Sequence, residues 1–201
     1  MSIIENIVVF GVGAAGSNTF LNLLFAYPDF NFIVVDFDKV ENRNVEPGTQ
    51  PYTKADLNRP KTQALQRIAM TLKQKRIQAI NTKIQSVKDI EKLVSKPNET
   101  IILDAFDNAD SRNVFLSLGK KYNVIHIGFS AFLTGEAVWN EVFEPMISSK
   151  ADDDIDVCEM SIARQFISDL TELASIVISK FVENNEKVNL YFDKNFIIKT
   201  F

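Results

Sequence analysis

Ile7-Val8-Val9-Phe10-Gly11-Val12-Gly13-Ala14-Ala15-Gly16 is an apolar, β-branched run that stops at a glycine and continues as a full G-x-G-x-x-G. The run reaches back to Ile3 and reads as a buried strand feeding a tight turn. After the glycines, Ser17 to Phe25 carries Phe20, Leu21, Leu23, Leu24 and Phe25, dense enough for a helix packed on a sheet, and Pro28 ends it. A strand before the glycines and a helix after them is the context that gives the motif meaning. Gly11 permits the turn, Gly13 lets a phosphate approach the backbone, and Gly16 allows helix and strand to pack closely. The helix N-terminus then offers unpaired N–H groups and a favourable dipole to an anion.

Phe32 to Val35 is apolar on consecutive residues, as in a strand of a parallel sheet covered on both faces, and it delivers Asp36 at its carboxyl end. An acidic residue there hydrogen-bonds a nucleotide ribose. From Glu41 to Pro60 the chain is polar and interrupted by Pro47, Gly48, Pro51 and Pro60, which predicts a long ordered loop with only short helical turns. Lys61 to Lys75 returns to one apolar stripe through Ala64, Leu65, Ile68, Ala69 and Leu72. The alternation continues with a strand at Ile77 to Ile84, a helix at Val87 to Val94 and a strand at Thr100 to Leu103 that ends in Asp104. A helix at Asp110 to Tyr122 and extended segments at Val124 to Gly128 and Glu136 to Phe143 follow. Residues 148–156 read as a polar linker, Met160 to Val182 as a long helix, and Val188 to Phe201 as a hairpin. The pattern predicts one α/β domain over residues 1–201, a doubly wound, mostly parallel, Rossmann-like sheet with helices on both faces.

The chain has 201 residues, 46% hydrophobic and 24% charged, which suits a globular protein rather than a disordered or fibrous one. A formal charge of −4 makes nucleic acid a poor general partner. No apolar run approaches the roughly 20 residues that span a bilayer, and the N-terminus lacks signal-peptide character, so a cytoplasmic location without membrane contact is expected. Cys158 is the only cysteine and His126 the only histidine, so an internal disulfide and a paired-cysteine zinc site are excluded. His126, in the apolar run Val124 to Ile127, reads as a buried or strand-edge histidine rather than a metal ligand.

Asp36-Phe37-Asp38-Lys39-Val40 runs on to Asn44, and Arg59-Pro60-Lys61 opens a helix; later, Leu103-Asp104-Ala105-Phe106-Asp107-Asn108 is followed by Arg112. In order and spacing these segments, with the glycine motif, resemble the ubiquitin-activating and ThiF/MoeB superfamily over about residues 3–183. Gly128, Gly135 and Cys158 also sit where members of that family have such residues. The resemblance implies a homodimeric, cytoplasmic adenylyltransferase that uses ATP and magnesium to activate the C-terminal carboxylate of a ubiquitin-fold protein or short peptide. It implies that Asp36 and Asp38 bind the ribose, that Asn44 and Lys61 approach the phosphates, that Asp107 holds magnesium, and that Asn108 contacts the nucleotide. Adenylation places a pentavalent phosphorus between a carboxylate and a departing pyrophosphate, so a lysine and a metal are needed to offset charge. The bland alternative makes Asp107 a helix cap and Lys61 a solvated first-turn residue of little weight in stability.

The sequence departs from the family pattern. An arginine and a glutamine usually follow the asparagine, the arginine reaching the phosphates of a neighbouring subunit's ATP; here those positions are Pro47 and Gly48. Arg43 and Arg59 are the nearby candidates to replace it. These residues hold no zinc-binding cysteine pairs, and no separate cysteine domain is expected. Cys158 stands among Asp152, Asp153, Asp154, Asp156 and Glu159, whose charges disfavour a thiolate. Two other classes stay open: a non-catalytic relative that binds nucleotide or a partner, and an oxidoreductase using NAD, for which no hydride-transfer acid or base stands out.

Overall fold

In a computed structural model the described residues are 3–46, 48–129, 134–143, 162–193 and 199–200. The strands are β1 (Asn6–Phe10), β2 (Asn31–Asp36), β3 (Gln78–Asn81), β4 (Thr100–Asp104), β5 (Asn123–Phe129), β6 (Gly135–Trp139), β7 (Leu190–Phe192) and β8 (Lys199–Thr200). The helices are α1 (Ala14–Ala26), α2 (Asn42–Val45), α3 (Lys61–Lys73), α4 (Val87–Leu93), α5 (Ala109–Leu116) and α6 (Ala163–Asn184). The strands form one sheet in the order β3-β2-β1-β4-β5-β6-β7-β8. Pairing is parallel from β3 to β5 and antiparallel from β5 to β8. The expected α/β, doubly wound sheet is therefore present, with an antiparallel extension of three strands on one side.

Strand alternation divides the interior in two. Ile7 and Val9 of β1, Ile101 and Leu103 of β4, and Ile125 and Ile127 of β5 join a core with α1, α3 and α6. Val8, Phe10, Ile102 and Val124 point the other way, into a second core with Ile90 of α4 and Phe115 of α5. Phe10 and Phe115 meet edge to face with centroids 5.1 Å apart. A sheet buried on both faces must read as continuous apolar runs, and that is why the sequence betrays it. On α6, Phe166, Leu170, Leu173, Val177 and Phe181 form the buried stripe. Asn185, at φ 54°, ends it in the left-handed conformation that asparagine tolerates.

Some boundaries differ from expectation. The helix predicted over Asp110 to Tyr122 stops at Leu116, and turns closed by Leu118 N to Phe115 O and Tyr122 N to Gly119 O take over. Leu118 and Tyr122 are buried by those turns, so they kept a helical spacing without a helix. The strand predicted to Ile84 ends at Asn81, and Ile84 plugs the second core from a loop. The extended segment predicted to Phe143 ends at Trp139. The polar segment 148–156 and Cys158 lie outside the described residues. Among the described residues no helix is long and apolar enough to cross a membrane.

Candidate nucleotide site

Three chain segments meet at the carboxyl ends of β1, β2 and β4, where the strand order reverses between β1 and β4; ligands of open α/β sheets bind at such a switch point. Gly11 leaves β1 at φ +81°, and a Cβ there would stand 2.8 Å from Ala105 O. Only glycine fits both the angle and the approach. Around Gly13, by contrast, nothing lies within 4 Å of where a Cβ would be. A side chain at Gly13 would therefore meet no obstacle beside the α1 N-terminus, where unpaired N–H groups could face an anion.

The Asp36 carboxylate joins the glycine turn to the end of β2. Its Oδ2 accepts from Val12 N at 2.8 Å and its Oδ1 from Asp38 N at 2.8 Å. Tyr52 closes the same turn from the far side, its hydroxyl donating to Val12 O at 2.6 Å. Burial pushes the Asp36 carboxyl up, while the Lys61 charge and the two backbone donors pull against it. A carboxylate has about four lone-pair sites, so acceptor capacity is left for a ribose hydroxyl.

Lys61 continues the chain of contacts. Asp38 and Lys61 are brought together by a short antiparallel ladder, with Val40 N bonded to Arg59 O and Lys61 N to Asp38 O, each close to 2.9 Å. Lys61 Nζ then lies 3.0 Å from Asp38 Oδ2. The expectation of a solvated lysine is corrected here: only 9% of its side chain is exposed, because the ladder folds the start of α3 under the turn after β2. An ammonium has three donors, and one goes to Asp38.

At the end of β4, Asp107 is exposed and its carboxylate has no hydrogen-bond or ion-pair partner among the described residues. The helix cap is Asn108, whose Oδ1 accepts from Ser111 N at 2.9 Å, so the bland reading of Asp107 as a cap fails. No cluster of three or more metal-ligating side chains occurs among the described residues. A lone free carboxylate suits magnesium, which keeps most of its waters and is shared with substrate phosphates.

Asn44 is less open than the sequence suggests. It is buried as the third residue of α2, and its Oδ1 accepts from Glu41 N at 2.8 Å in a capping box. Only its amide nitrogen remains for a ligand. Arg43 pairs with Glu41 at 2.7 Å on the surface, whereas Arg59 is exposed next to Pro60 and Lys61.

Behind the β4 turn lie residues to which the sequence reading assigned no functional role. Asp104 and His126 are both fully buried and 2.8 Å apart, and His126 Nε2 is 2.8 Å from Asn140 Oδ1. Arg112 bridges Phe106 O, Ile127 O and Glu136. The buried histidine was expected; its partners, drawn from β4 and the segment after β6, carry no local signal.

The same fold occurs in solved proteins of low sequence identity. E. coli MccB with MccA-N7isoASN aligns with TM-score 0.75 at 15% identity, covering 98% of this chain and 64% of that one. E. coli MccB with ATP gives 0.72 at 15% identity, covering 98% and 63%. PaaA gives 0.69 at 16% identity, covering 98% and 63%. The chain thus spans less than two thirds of these proteins' length. No curated protein matches it in sequence. The glycine turn, the Asp36 and Asp38 segment, the Lys61 ladder and the β4 turn all fall within residues 5–168, which match the ThiF family model, and the chain belongs to the ThiF family.

Proposed function

We propose that this chain adenylates the C-terminal carboxylate of a ubiquitin-fold protein or short peptide, with ATP and magnesium. The observation that carries the proposal is the unbroken run of contacts from Val12 in the glycine turn, next to the open position at Gly13, through Asp36 and Asp38 to Lys61. Such a run holds a ribose site and a phosphate-facing cation in fixed relation. Membership of the ThiF family and the MccB fold, solved with ATP and with an MccA derivative, support the same reaction.

In the reaction a carboxylate oxygen attacks the α-phosphorus of ATP. The bond from that phosphorus to the bridging oxygen breaks, and its electron pair leaves with pyrophosphate. Asp36 and Asp38 hold the ribose, the α1 N-terminus and the Asn44 amide face the phosphates, and Lys61 offsets charge with its two remaining donors. Asp107 and Asn108 approach from the β4 side. Magnesium, when bound at Asp107, supplies further charge neutralisation. The proposal includes a homodimeric, cytoplasmic protein.

Calorimetry with ATP and magnesium against NAD, followed by ATP–pyrophosphate exchange with C-terminal peptides, tests it. ATP binding and peptide-dependent exchange are expected; tight NAD binding without ATP binding refutes it. A second reading, nucleotide binding without turnover, is favoured by Pro47 and Gly48 in place of the family's arginine and glutamine. It predicts ATP binding with no exchange for any peptide.

A further inference from the structure

We infer that Arg112, backed by Glu136, is a positioning residue for the metal of the metal–nucleotide complex: it fixes the Phe106–Asp107 peptide and so aims the Asp107 carboxylate. The inference rests on the nucleotide reading above. Asp107 has no side-chain partner of its own among the described residues, so its direction is set by backbone alone. Arg112, in the first turn of α5, donates from Nε to Phe106 O at 2.7 Å, the carbonyl of the very peptide that carries Asp107 N. From the other side Asp104 Oδ1 accepts from Phe106 N at 3.2 Å, so residue 106 is held at both ends.

The guanidinium is anchored elsewhere. Its Nη2 donates to Ile127 O at 2.8 Å, its Nη1 lies 3.5 Å from Glu136 Oε1, and its centre is 5.3 Å from the Phe143 ring. With Phe106 O these contacts join the β4 turn, β5, β6 and the segment after it through one planar fork, which a lysine cannot reproduce. Glu136 is buried at 8% exposure in a strand with no other acidic residue, and it supplies the countercharge a half-buried guanidinium needs. Burial pushes its carboxyl up, and Arg112 and then His126 draw it back. Gly128 completes the slot. A Cβ there would stand 2.3 Å from Arg112 Nη2, so β5 carries no side chain where the fork lies.

Gly128 therefore offers a probe that leaves every charge in place. In Gly128→Ala the new methyl displaces the flexible end of Arg112 rather than backbone. Glu136→Gln removes the countercharge at constant shape, and Arg112→Lys removes the fork. The measurement is Mn2+ titration of the full chain with ATP, followed by water-proton relaxation, beside ATP affinity in EDTA and thermal unfolding. Outer-shell groups that orient a metal ligand alter affinity by about 10- to 100-fold, and a weakening of at least about tenfold is expected in all three variants. Metal-free ATP affinity, set by the glycine turn and Asp36, is expected to stay at the parent value. A purely structural staple lowers the melting temperature and leaves Mn2+ affinity of the folded protein unchanged; that result in Gly128→Ala and Glu136→Gln overturns the inference. Those two variants decide the matter if Arg112→Lys does not fold. Failure of the parent chain to bind Mn2+ with ATP refutes the nucleotide reading instead.

Discussion

Replacing Lys61 by methionine keeps most of the aliphatic stem and deletes the charge. The lost ion pair is 3.0 Å long, between a lysine side chain 9% exposed and an aspartate 43% exposed. Fully exposed pairs contribute about 0–1 kcal/mol, and breaking a fully buried one costs about 3–5 kcal/mol. Asp38 can rehydrate once its partner is gone, so a cost of about 1–2 kcal/mol follows. For a domain of this size that lowers the melting temperature by about 2–8 °C, well within a typical stability of about 5–15 kcal/mol. The catalytic effect is larger. Removing one preorganised group that offsets transition-state charge costs about 100- to 1000-fold in rate, so exchange should fall far more than the folded population does. ATP–pyrophosphate exchange measured well below the melting temperature, with thermal unfolding alongside, separates the two. Exchange within about threefold of the parent, with the expected loss of melting temperature, would leave Lys61 a structural residue and refute the charge argument.

Gly16→Ala should lower the melting temperature although alanine gains about 1 kcal/mol of helix propensity over glycine, because its Cβ would fall 1.9 Å from Gly11 O, backbone that cannot swing away; a rise in melting temperature sinks this packing argument. Asp56 is fully buried and accepts from Thr53 N, Thr53 Oγ1 and the Arg67 fork at 2.8–3.0 Å. Burial pushes its carboxyl up, yet the Arg67 and Thr53 bonds outweigh this and hold it below the ordinary range. Its stabilisation is therefore present above the unfolded-state pKa of about 4 and lost as pH falls through the lower folded value. Urea unfolding should show Asp56→Asn destabilised by about 1–3 kcal/mol at neutral pH, with the gap closing in acid; a gap independent of pH contradicts the assignment. Glu136 has the opposite sign, since its folded pKa is raised. It favours the fold below its unfolded pKa, and that contribution is lost as pH rises through the folded value. The stability of Glu136→Gln relative to the parent should accordingly rise with pH across that window, and a flat or falling difference speaks against burial as the dominant cause.

The parallel half of the sheet was legible because burial on both faces leaves no polar residue among Val8, Val9 and Phe10 or Ile101, Ile102 and Leu103. The turn at Gly11 and the placing of Asp36 at the end of β2 were legible because a tight turn and the end of a buried strand have fixed local requirements. The burial of Lys61 was hidden, since it depends on a ladder between residues 38–40 and 58–61 that has no helical or strand period. Arg112, Glu136 and His126 form a network through β4, β5 and β6, and a glutamate in a short apolar strand shows nothing of the guanidinium facing it. Asn44 shows the converse case, a polar residue read for function that spends its carbonyl on a local cap.

On the proposed function Asp36 carries two duties at once, and this shapes how such a site can diverge. Its carboxylate fastens Val12 and Asp38 before any ligand arrives, so the Val12 amide is already spent and an incoming anion must be met by the amides at the start of α1. A mutation that would retune sugar preference at position 36 also unfastens the glycine turn, and selection for a new nucleotide would be opposed by selection for folding. Phe37, exposed beside it, is under no such double constraint. New ligand preference in this scaffold is accordingly expected to accumulate at the neighbouring position, around an aspartate that stays.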